Sequence, residues 1–396
     1  MFNQITTKEW DKVSYQTLGL NQEHAKKFQK FLEEKQLAHA LDFGLEGITT
    51  CAHVGIIRFA DFQLNILPKI IGEEDSLCLE NLMFMLRYTR KLEIHSMDSA
   101  EISQTKQPFL EVLIAHYANI LLNALQRHIP HQYETQEDNL PTVKGRILFA
   151  KNHLVNAANL ARTYCQFDEF TSDNLLNQTL KFVSHALQKL TSVSQTRQKL
   201  LKINAVYEDV TLRPVAYAET QKIILNRNQA IFKEPLELAQ MFLQNSTISL
   251  HNHTFTNLAI LFDMNKLFEE FVATALEQAF PGQVKIQNKL KIIEDIDGIP
   301  GTSYTIRPDI LFGKDTIIDT KYKRLSLPED KPSEADIYQM LAYNRFYNRK
   351  NIILCYPMTD EYYPRTTILE KKSISLMLLT LNIHQLLTKN NLNHII

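Results

Sequence analysis

The sequence predicts an α/β protein in two parts, an α+β N-terminal module followed by a domain in which helices flank a mixed sheet. Three observations support this prediction. The 396 residues exceed one core of ordinary size. Strand-like alternation and helical periodicity are mixed in the first part, whereas the last third reads as helix, three strands, helix and strand. The 44% hydrophobic and 22% charged content is typical of a folded globular protein.

In the N-terminal module, the apolar spacing predicts a helix over residues 22–35, and alternating apolar positions predict strands over residues 47–70. Further helices are predicted near residues 77–88, 109–127, 174–190 and 228–244. The segments "LPTVKGRILFAKN" and "YCQFDEFTSDN" between them are interpreted as strands or loops.

The polar segment "NSTISLHNHTFTN" follows the last of these helices and predicts a domain boundary near Ser246. We therefore divide the chain into domains 1–245 and 246–396. His251 and His253 could ligate a metal, but because they alternate within a polar linker we interpret them as solvated side chains.

The second domain is predicted to contain a helix over residues 261–280 and three strands over residues 283–294, 304–312 and 316–322. A helix over residues 333–347 and a strand over residues 351–356 follow. This order of elements predicts an antiparallel meander that is covered by helices.

Composition excludes several classes of protein. The net charge is −1, and residues 285–350 contain 12 Lys and Arg against 10 Asp and Glu, so this region is not a self-sufficient DNA clamp. The four cysteines form no CxxC pair, which argues against a zinc ribbon or a disulfide framework. The N-terminus opens into polar sequence and no run reaches the roughly 18 apolar residues of a membrane span, so we expect a cytoplasmic protein.

The segment "RPDILFGKDTIIDTKYK" carries the strongest candidate chemistry. Side chains alternate along a strand, so Asp319 and Lys321 are predicted to share one face while Ile318 and Thr320 share the other. A turn at residues 313–315 would bring Asp309 beside them. Two carboxylates suit Mg²⁺, and an ammonium can orient a water or offset charge on phosphate. The alternative is a set of exposed strand charges, because the pattern is short and degenerate.

Two helices are predicted to complete this site. Glu269 flanks the apolar stripe of the first helix, whereas Glu270 lies nearer its solvated back. In the second helix, Asp336, Gln339 and Tyr343 share one face behind a capping residue at position 333. Surface charges and ordinary helix packing are the alternative explanations.

Four segments in order, "DMNKLFEEFV", "RPDILF", "IIDTKYK" and "DIYQMLAY", resemble McrC, the nuclease component of McrBC-type 5-methylcytosine-directed restriction systems. In the first half, "VGIIRFADFQLNILPKI", "KGRIL" and "FDEFTSDNLLNQTLK" are similar to the same family, so the resemblance spans most of the chain. It implies a restriction-endonuclease-like PD-(D/E)XK core in domain 246–396.

By this resemblance, Asp309, Asp319 and Lys321 are the catalytic triad and Glu269 is a further acidic residue, with the three carboxylates as ligands of Mg²⁺ or Mn²⁺. Gln339 and Tyr343 match a Q-x-x-x-Y element that supports the site or contacts DNA. The resemblance also implies a partner, a ring-forming AAA+ GTPase of the McrB kind that recognises DNA at modified cytosines. Dimerisation is left open.

The chain itself has no phosphate-binding loop, since none of its 10 glycines falls in a G-x-x-x-x-G-K-[ST] motif. No bound nucleotide is therefore expected here, and residues 1–245 are the expected docking module for the ring. Lys144 and Arg146 could contact phosphate or this partner, and we favour the partner. Two alternatives remain: a stand-alone RecB-like or resolvase-like nuclease, which would cut DNA without a partner, and a non-catalytic adaptor, which the intact Asp309, Asp319 and Lys321 disfavour.

Overall fold

A computed structural model describes residues 3–69, 75–89, 108–249, 252–286, 288–293, 304–323, 332–357, 365–369 and 374–381. The chain forms two compact units, which are Met1–Phe109 together with Ala259–Ile396, and Leu110–Leu258. The prediction of a mixed α/β protein whose sheets are flanked by helices is confirmed. No helix of the described residues is long and apolar enough to cross a membrane.

The N-terminal part of the first unit is built on a mixed sheet. Its strands β1 (Asn3–Lys8), β6 (Phe62–Leu67), β5 (His53–Phe59) and β11 (Thr254–Asp263) lie side by side in that order, with β1 parallel to β6. A small second sheet contains β2 (Lys12–Ser14), β4 (Gly47–Thr50) and β3 (Leu41–Phe43). The helices are α1 (Tyr15–Leu18), α2 (Gln22–Glu34) and α3 (Asp75–Tyr88), with a 3-10 turn at Ala38–Ala40. The aromatic rings of Phe28, Phe59 and Phe62 pack together in the core.

The C-terminal part of the first unit is a six-stranded mixed sheet. Its strand order is β12 (Val284–Ile286), β15 (Ile310–Phe312), β16 (Thr316–Thr320), β17 (Asn351–Pro357), β19 (Ile374–Leu381) and β18 (Arg365–Leu369). The pairs β16–β17 and β17–β19 are parallel and the others antiparallel. Strands β13 (Leu290–Ile293) and β14 (Tyr304–Ile306) form a separate antiparallel pair.

Helices α10 (Met264–Ala279) and α11 (Glu334–Tyr347) both pack against β16. Met340 and Tyr343 of α11 share a core cluster with Ile317, which places α11 on one face of the sheet. Phe268 of α10 contacts the ring of Tyr322, which lies just beyond β16. Because side chains alternate along a strand, the two helices contact different side chains of this segment.

The second unit is mostly helical. Its helices are α4 (Phe109–Leu125), α5 (Phe149–Asn156), α6 (Leu175–Leu190), α7 (Ser194–Val206), α8 (Tyr217–Thr220) and α9 (Lys233–Gln244), with a 3-10 helix at Arg227–Phe232. A three-stranded antiparallel sheet has the order β7 (Gln132–Leu140), β9 (Thr163–Thr171) and β8 (Arg146–Ile147). Helix α7 was not predicted from the sequence, because only Thr196, Leu200 and Ile203 of its residues are buried and its apolar stripe is weak.

The segment that was interpreted as a polar linker forms a hairpin. Strand β10 (Ser246–Ser249) pairs antiparallel with the first half of β11, and β11 continues to Asp263, where the sequence predicted a helix from residue 261. His253 sits in the turn with φ 50°, and His251 lies outside the described residues. The compact units thus follow a different division from the predicted domains, whose separation by function stays a prediction.

Candidate active site

Strand β16 buries the carboxylate of Asp319. The side chain is 1% exposed and follows the buried residues Ile317 and Ile318. The antiparallel register pairs Ile310 of β15 with Ile318, so Asp309 lies one residue before β15 and at the level of Asp319. The turn between the strands contains Gly313 with φ 53°, a left-handed conformation that glycine adopts without strain. The predicted juxtaposition of Asp309 and Asp319 is therefore present.

Asp309 is held in place by Thr320. The backbone N–H and the hydroxyl of Thr320 both donate hydrogen bonds to Asp309 Oδ2, each at 2.7 Å. Strand alternation predicts that Thr320 lies on the opposite face from Asp319, so this contact was not expected from the sequence. Because Asp309 precedes β15, strand alternation does not constrain its side chain, which turns toward the end of β16.

Lys321 follows β16 and points its ammonium at Asp319. The Lys321 Nζ lies 2.7 Å from Asp319 Oδ2 and 3.6 Å from an Asp336 carboxylate oxygen. It also donates a hydrogen bond of 2.9 Å to Gln339 Oε1. The backbone N–H of Lys321 donates to Cys355 O of β17 at 2.8 Å, so the residue is fixed at both its main chain and its side chain.

Helix α11 provides the wall of the site. Gln339 Nε2 donates to Tyr343 Oη at 2.7 Å, and Tyr343 Oη donates to Arg307 O at 3.0 Å. Asp336 pairs with Lys323, a residue that the sequence analysis did not single out, at 3.2 Å. Ser333 caps the helix by accepting a hydrogen bond from Asp336 N. The face predicted from helical spacing is therefore the face that meets Lys321.

Charges in the site are mutually dependent. Burial, assisted by the nearby Asp309 carboxylate, raises the pKa of Asp319 to about 6 against the opposing effect of Lys321. Burial by itself would lower the pKa of Lys321, but the carboxylates of Asp319, Asp336 and Asp309 outweigh it and raise that pKa. Lys321 is therefore cationic at neutral pH and suited to stabilise negative charge.

Glu269 is partly buried on α10, next to Phe268, whose ring lies 6.1 Å from the ring of Tyr322. Since Tyr322 alternates with Lys321, α10 covers the face of β16 opposite to Asp319. Glu270 is equally half-buried, so exposure does not separate the two glutamates as the helical projection did. Helix α10 therefore contacts β16 from the side away from the Asp319 carboxylate, and the role of Glu269 at the metal stays a prediction.

The donor set fits a small hard cation. Asp319 Oδ2 is buried beside the Lys321 ammonium, 2.7 Å away, and the carboxylates of Asp319 and Asp309 offer hard oxygen donors next to this charge. No group of three or more His, Cys, Asp or Glu arranged for a metal occurs in the described parts of the chain. Mg²⁺ needs only one or two carboxylates because it retains waters, whereas zinc requires a fuller set of protein ligands.

Residues 48–357 match the family model described as McrBC 5-methylcytosine restriction system component. A segment of 122 residues, 30% of this chain, is 28% identical to a probable DNA helicase II homolog of Mycoplasma capricolum, of whose length the match spans 17%.

Two solved structures share the fold. The first is a chain of the refined half-complex from a tetradecameric assembly of Thermococcus gammatolerans McrB AAA+ hexamers with bound McrC. It is 19% identical, with a TM-score of 0.78, and the match covers 99% of this chain and 100% of that chain. The second is in the cryo-EM structure of the Thermococcus gammatolerans McrBC complex, with 20% identity, a TM-score of 0.55 and coverage of 70% and 88%.

Proposed function

The chain belongs to the McrBC 5-methylcytosine restriction system component family, and on this basis we propose that it is the Mg²⁺-dependent DNA endonuclease subunit of such a system. The observation that carries the proposal is the convergence of Asp309, Asp319 and Lys321 at the end of β16. An adaptor without catalysis would have no need of a buried carboxylate whose ionisation is costly.

Asp309 and Asp319 would hold the cation, with Glu269 as a third candidate ligand. A bound Mg²⁺ would supply Lewis-acid polarisation of the scissile phosphate and a more acidic water. Lys321 supplies a fixed positive charge beside the phosphate. Gln339 accepts a hydrogen bond from the Lys321 ammonium, and Tyr343 orients Gln339, so the charge is held in one place before DNA arrives.

Cleavage should require a divalent cation and should lose metal affinity in acid. Since the pKa of Asp319 is raised to about 6, protons compete with the metal as the pH falls through 6, and the half-activating Mg²⁺ concentration should rise about fivefold between pH 6 and pH 5. The measurement is plasmid cleavage with titrated Mg²⁺ at each pH, with partner and nucleotide present. Cleavage in excess EDTA would refute the metal-dependent assignment.

The partner in this proposal is an AAA+ GTPase ring of the McrB kind, which would recognise DNA at modified cytosines. Two observations favour it: the chain has no phosphate-binding loop, and the matched Thermococcus assembly contains McrB AAA+ hexamers with bound McrC. Both would work on DNA in the cytoplasm. Rapid cutting of unmodified DNA by the purified chain alone would favour the stand-alone nuclease instead.

A docking surface for this ring is proposed on the β7–β9 sheet and α5 of the second unit. Seven large apolar side chains in this region are more than half exposed, which is unusual for apolar residues. They are Tyr133, Val143, Phe149, Leu154, Val155, Leu160 and Phe170. Arg146 and Phe149 line an open groove there. The neighbouring Gly145 has φ 66°, and a Cβ atom at this position would lie 2.4 Å from Gln166 O, so only glycine fits.

Charge insertion at this surface should uncouple the two subunits. The double change Phe149→Asp with Leu154→Asp places two charges on side chains that are 77% and 80% exposed, so folding should be retained. Stimulation of the partner's nucleotide hydrolysis should fall by about tenfold or more, since buried unpaired charges at an interface are costly. Ile224→Asp, at a residue 90% exposed in the same unit, is the matched control. Equal stimulation by both variants would exclude this surface.

Full-length variants are needed for this test. A fragment that ends at residue 245 lacks β10 and β11, and β11 is the neighbour of β5 in the N-terminal sheet. Loss of stimulation by such a fragment would therefore reflect damage to that sheet as much as loss of docking.

A further inference from the structure

The first turn of the chain carries a buried acid that faces the nuclease strand. Glu9, directly after β1, is fully buried, and its Oε2 accepts hydrogen bonds from Tyr322 Oη at 3.0 Å and from Lys69 N at 3.1 Å. Its Oε1 is buried without a hydrogen-bond partner among the described residues. The contact joins residues 313 positions apart, so it ties the N-terminus to the segment that contains Lys321.

Tyr322 is enclosed from three sides. Glu9 binds its hydroxyl, Trp10 stacks on its ring at 6.4 Å, and Phe268 of α10 contacts the ring at 6.1 Å. Tyr322 is 3% exposed and follows Lys321 directly. Since β16 ends at Thr320, no strand pairing continues through Tyr322, and its side chain anchors the end of this segment.

The turn that presents Glu9 is itself rigid and strained. Trp10 adopts φ 60°, an uncommon conformation for a bulky residue. Thr50 holds the turn, since Thr50 O accepts from Trp10 N, and Thr50 Oγ1 accepts from Asp11 N and donates to Lys8 O. A strained conformation that persists within so many hydrogen bonds indicates a constraint beyond simple chain reversal.

From these contacts we propose that Glu9 and Tyr322 are positioning residues, which hold the end of β16 so that the ammonium of Lys321 stays over Asp319. This inference rests on the proposed nuclease function and concerns how its site is built. Lys321 has four rotatable side-chain bonds, so fixing its main chain on both sides limits the positions that the ammonium can take.

The charges around Glu9 agree with a neutral carboxyl group in this role. Burial raises the pKa of Glu9 to about 8, and the nearby Asp263 carboxylate contributes to this increase. The hydrogen bonds from Lys69 N and Tyr322 and the charge of the Lys69 ammonium lower the pKa but do not outweigh burial. The thiol of Cys78 on α3 also interacts electrostatically with Glu9. A neutral acid is mimicked by glutamine, which makes Glu9→Gln the conservative variant and Glu9→Ala the disruptive one.

Two disruptive variants, Glu9→Ala and Tyr322→Phe, should lower the kcat of DNA cleavage about tenfold, because small displacements of a catalytic group carry large rate penalties. The KM for DNA and the half-activating Mg²⁺ concentration should change by less than about twofold, since neither residue is among the proposed metal ligands or the residues proposed to face the phosphate. Glu9→Gln should restore nearly full activity. Tyr117→Phe is the matched control, because it deletes another buried hydroxyl that donates a hydrogen bond of 3.0 Å, in the second unit.

Two readouts do not depend on cleavage. Hydrogen exchange of the peptide over residues 319–323, measured by mass spectrometry, should be faster by roughly tenfold in Glu9→Ala and Tyr322→Phe and unchanged in Tyr117→Phe. Trp10 is the sole tryptophan of the chain and stacks on Tyr322. Its fluorescence should show a transition near pH 8 in the wild type, and this transition should be absent in Glu9→Gln.

If Glu9→Ala cuts like the wild type and its 319–323 peptide exchanges normally, while Asp319→Asn is inactive, the positioning role is overturned and the nuclease assignment stands. A wild-type protein that never cuts DNA with its partner would instead overturn the proposed function. The exchange rates would then still decide whether Glu9 holds the Lys321 segment.

Discussion

Replacing Asp319 by asparagine should abolish DNA cleavage, by at least about 10³-fold, while leaving stimulation of the partner's nucleotide hydrolysis near the wild-type level. Asparagine keeps the volume of the side chain but removes the negative charge that a hard divalent cation requires. The decisive measurement is plasmid cleavage and partner nucleotide hydrolysis on the same preparations.

The same substitution should not destabilise the fold. The pKa of Asp319 is raised from 3.8 to about 6, so the folded state binds a proton more tightly than the unfolded state. The free energy of unfolding therefore decreases as the pH rises from 3.8 through 6, because the buried carboxyl group ionises over this range. The Asp319→Asn change removes this cost, although Lys321 loses its nearest partner and keeps Asp336 at 3.6 Å. Thermal unfolding at pH 7 should occur at an equal or higher temperature than in the wild type.

A pair of lysines provides the matched control. Lys321→Ala should lower cleavage by about 100-fold or more, because a positioned charge stabiliser in an active site typically contributes this much. Lys323→Ala removes a lysine that is 58% exposed and forms its ion pair with Asp336, so cleavage should change by less than about threefold. Normal cutting by Asp319→Asn, or equal effects of the two lysine changes, would contradict the assignment of the triad.

The second large effect is expected at Gly55, in the strand that lies beside β11. Gly55 has φ 136°, and a Cβ atom there would lie 2.1 Å from Ile260 O. Because this atom belongs to the main chain of β11, no side-chain rotation relieves the clash. Gly55→Ala should lower the free energy of unfolding by about 3 kcal/mol or more, through the combined cost of strain and strand displacement.

Gly282→Ala separates the two contributions. Gly282 also has a positive φ, of 77°, but nothing lies within 4 Å of the position of its Cβ. Its replacement should cost only about 1 kcal/mol, from the left-handed conformation by itself. Urea unfolding of both variants measures the difference. Equal midpoints would show that the close approach of β5 and β11 does not constrain the fold.

Local patterns in the sequence were sufficient for much of the candidate site. Strand alternation placed Asp319 and Lys321 on one face, and the helical spacing of Asp336, Gln339 and Tyr343 predicted the side of α11 that meets Lys321. These relations depend on backbone geometry within one or two adjacent elements, and this geometry is the same in every protein. The family was identified from several such segments in order, and the family match agrees with it.

Contacts between distant parts of the chain were decided by the tertiary structure. The burial that raises the pKa of Asp319, the Glu9–Tyr322 hydrogen bond and the membership of β11 in the N-terminal sheet join residues that no local period relates. The β10–β11 hairpin was interpreted as a linker because its side chains are polar. Its strands form nevertheless, because strand pairing satisfies main-chain groups irrespective of side-chain polarity. Periodicity reports which face of an element is buried, whereas the partner of that face is selected by the sum of many weak packing and hydrogen-bonding contacts over the whole chain.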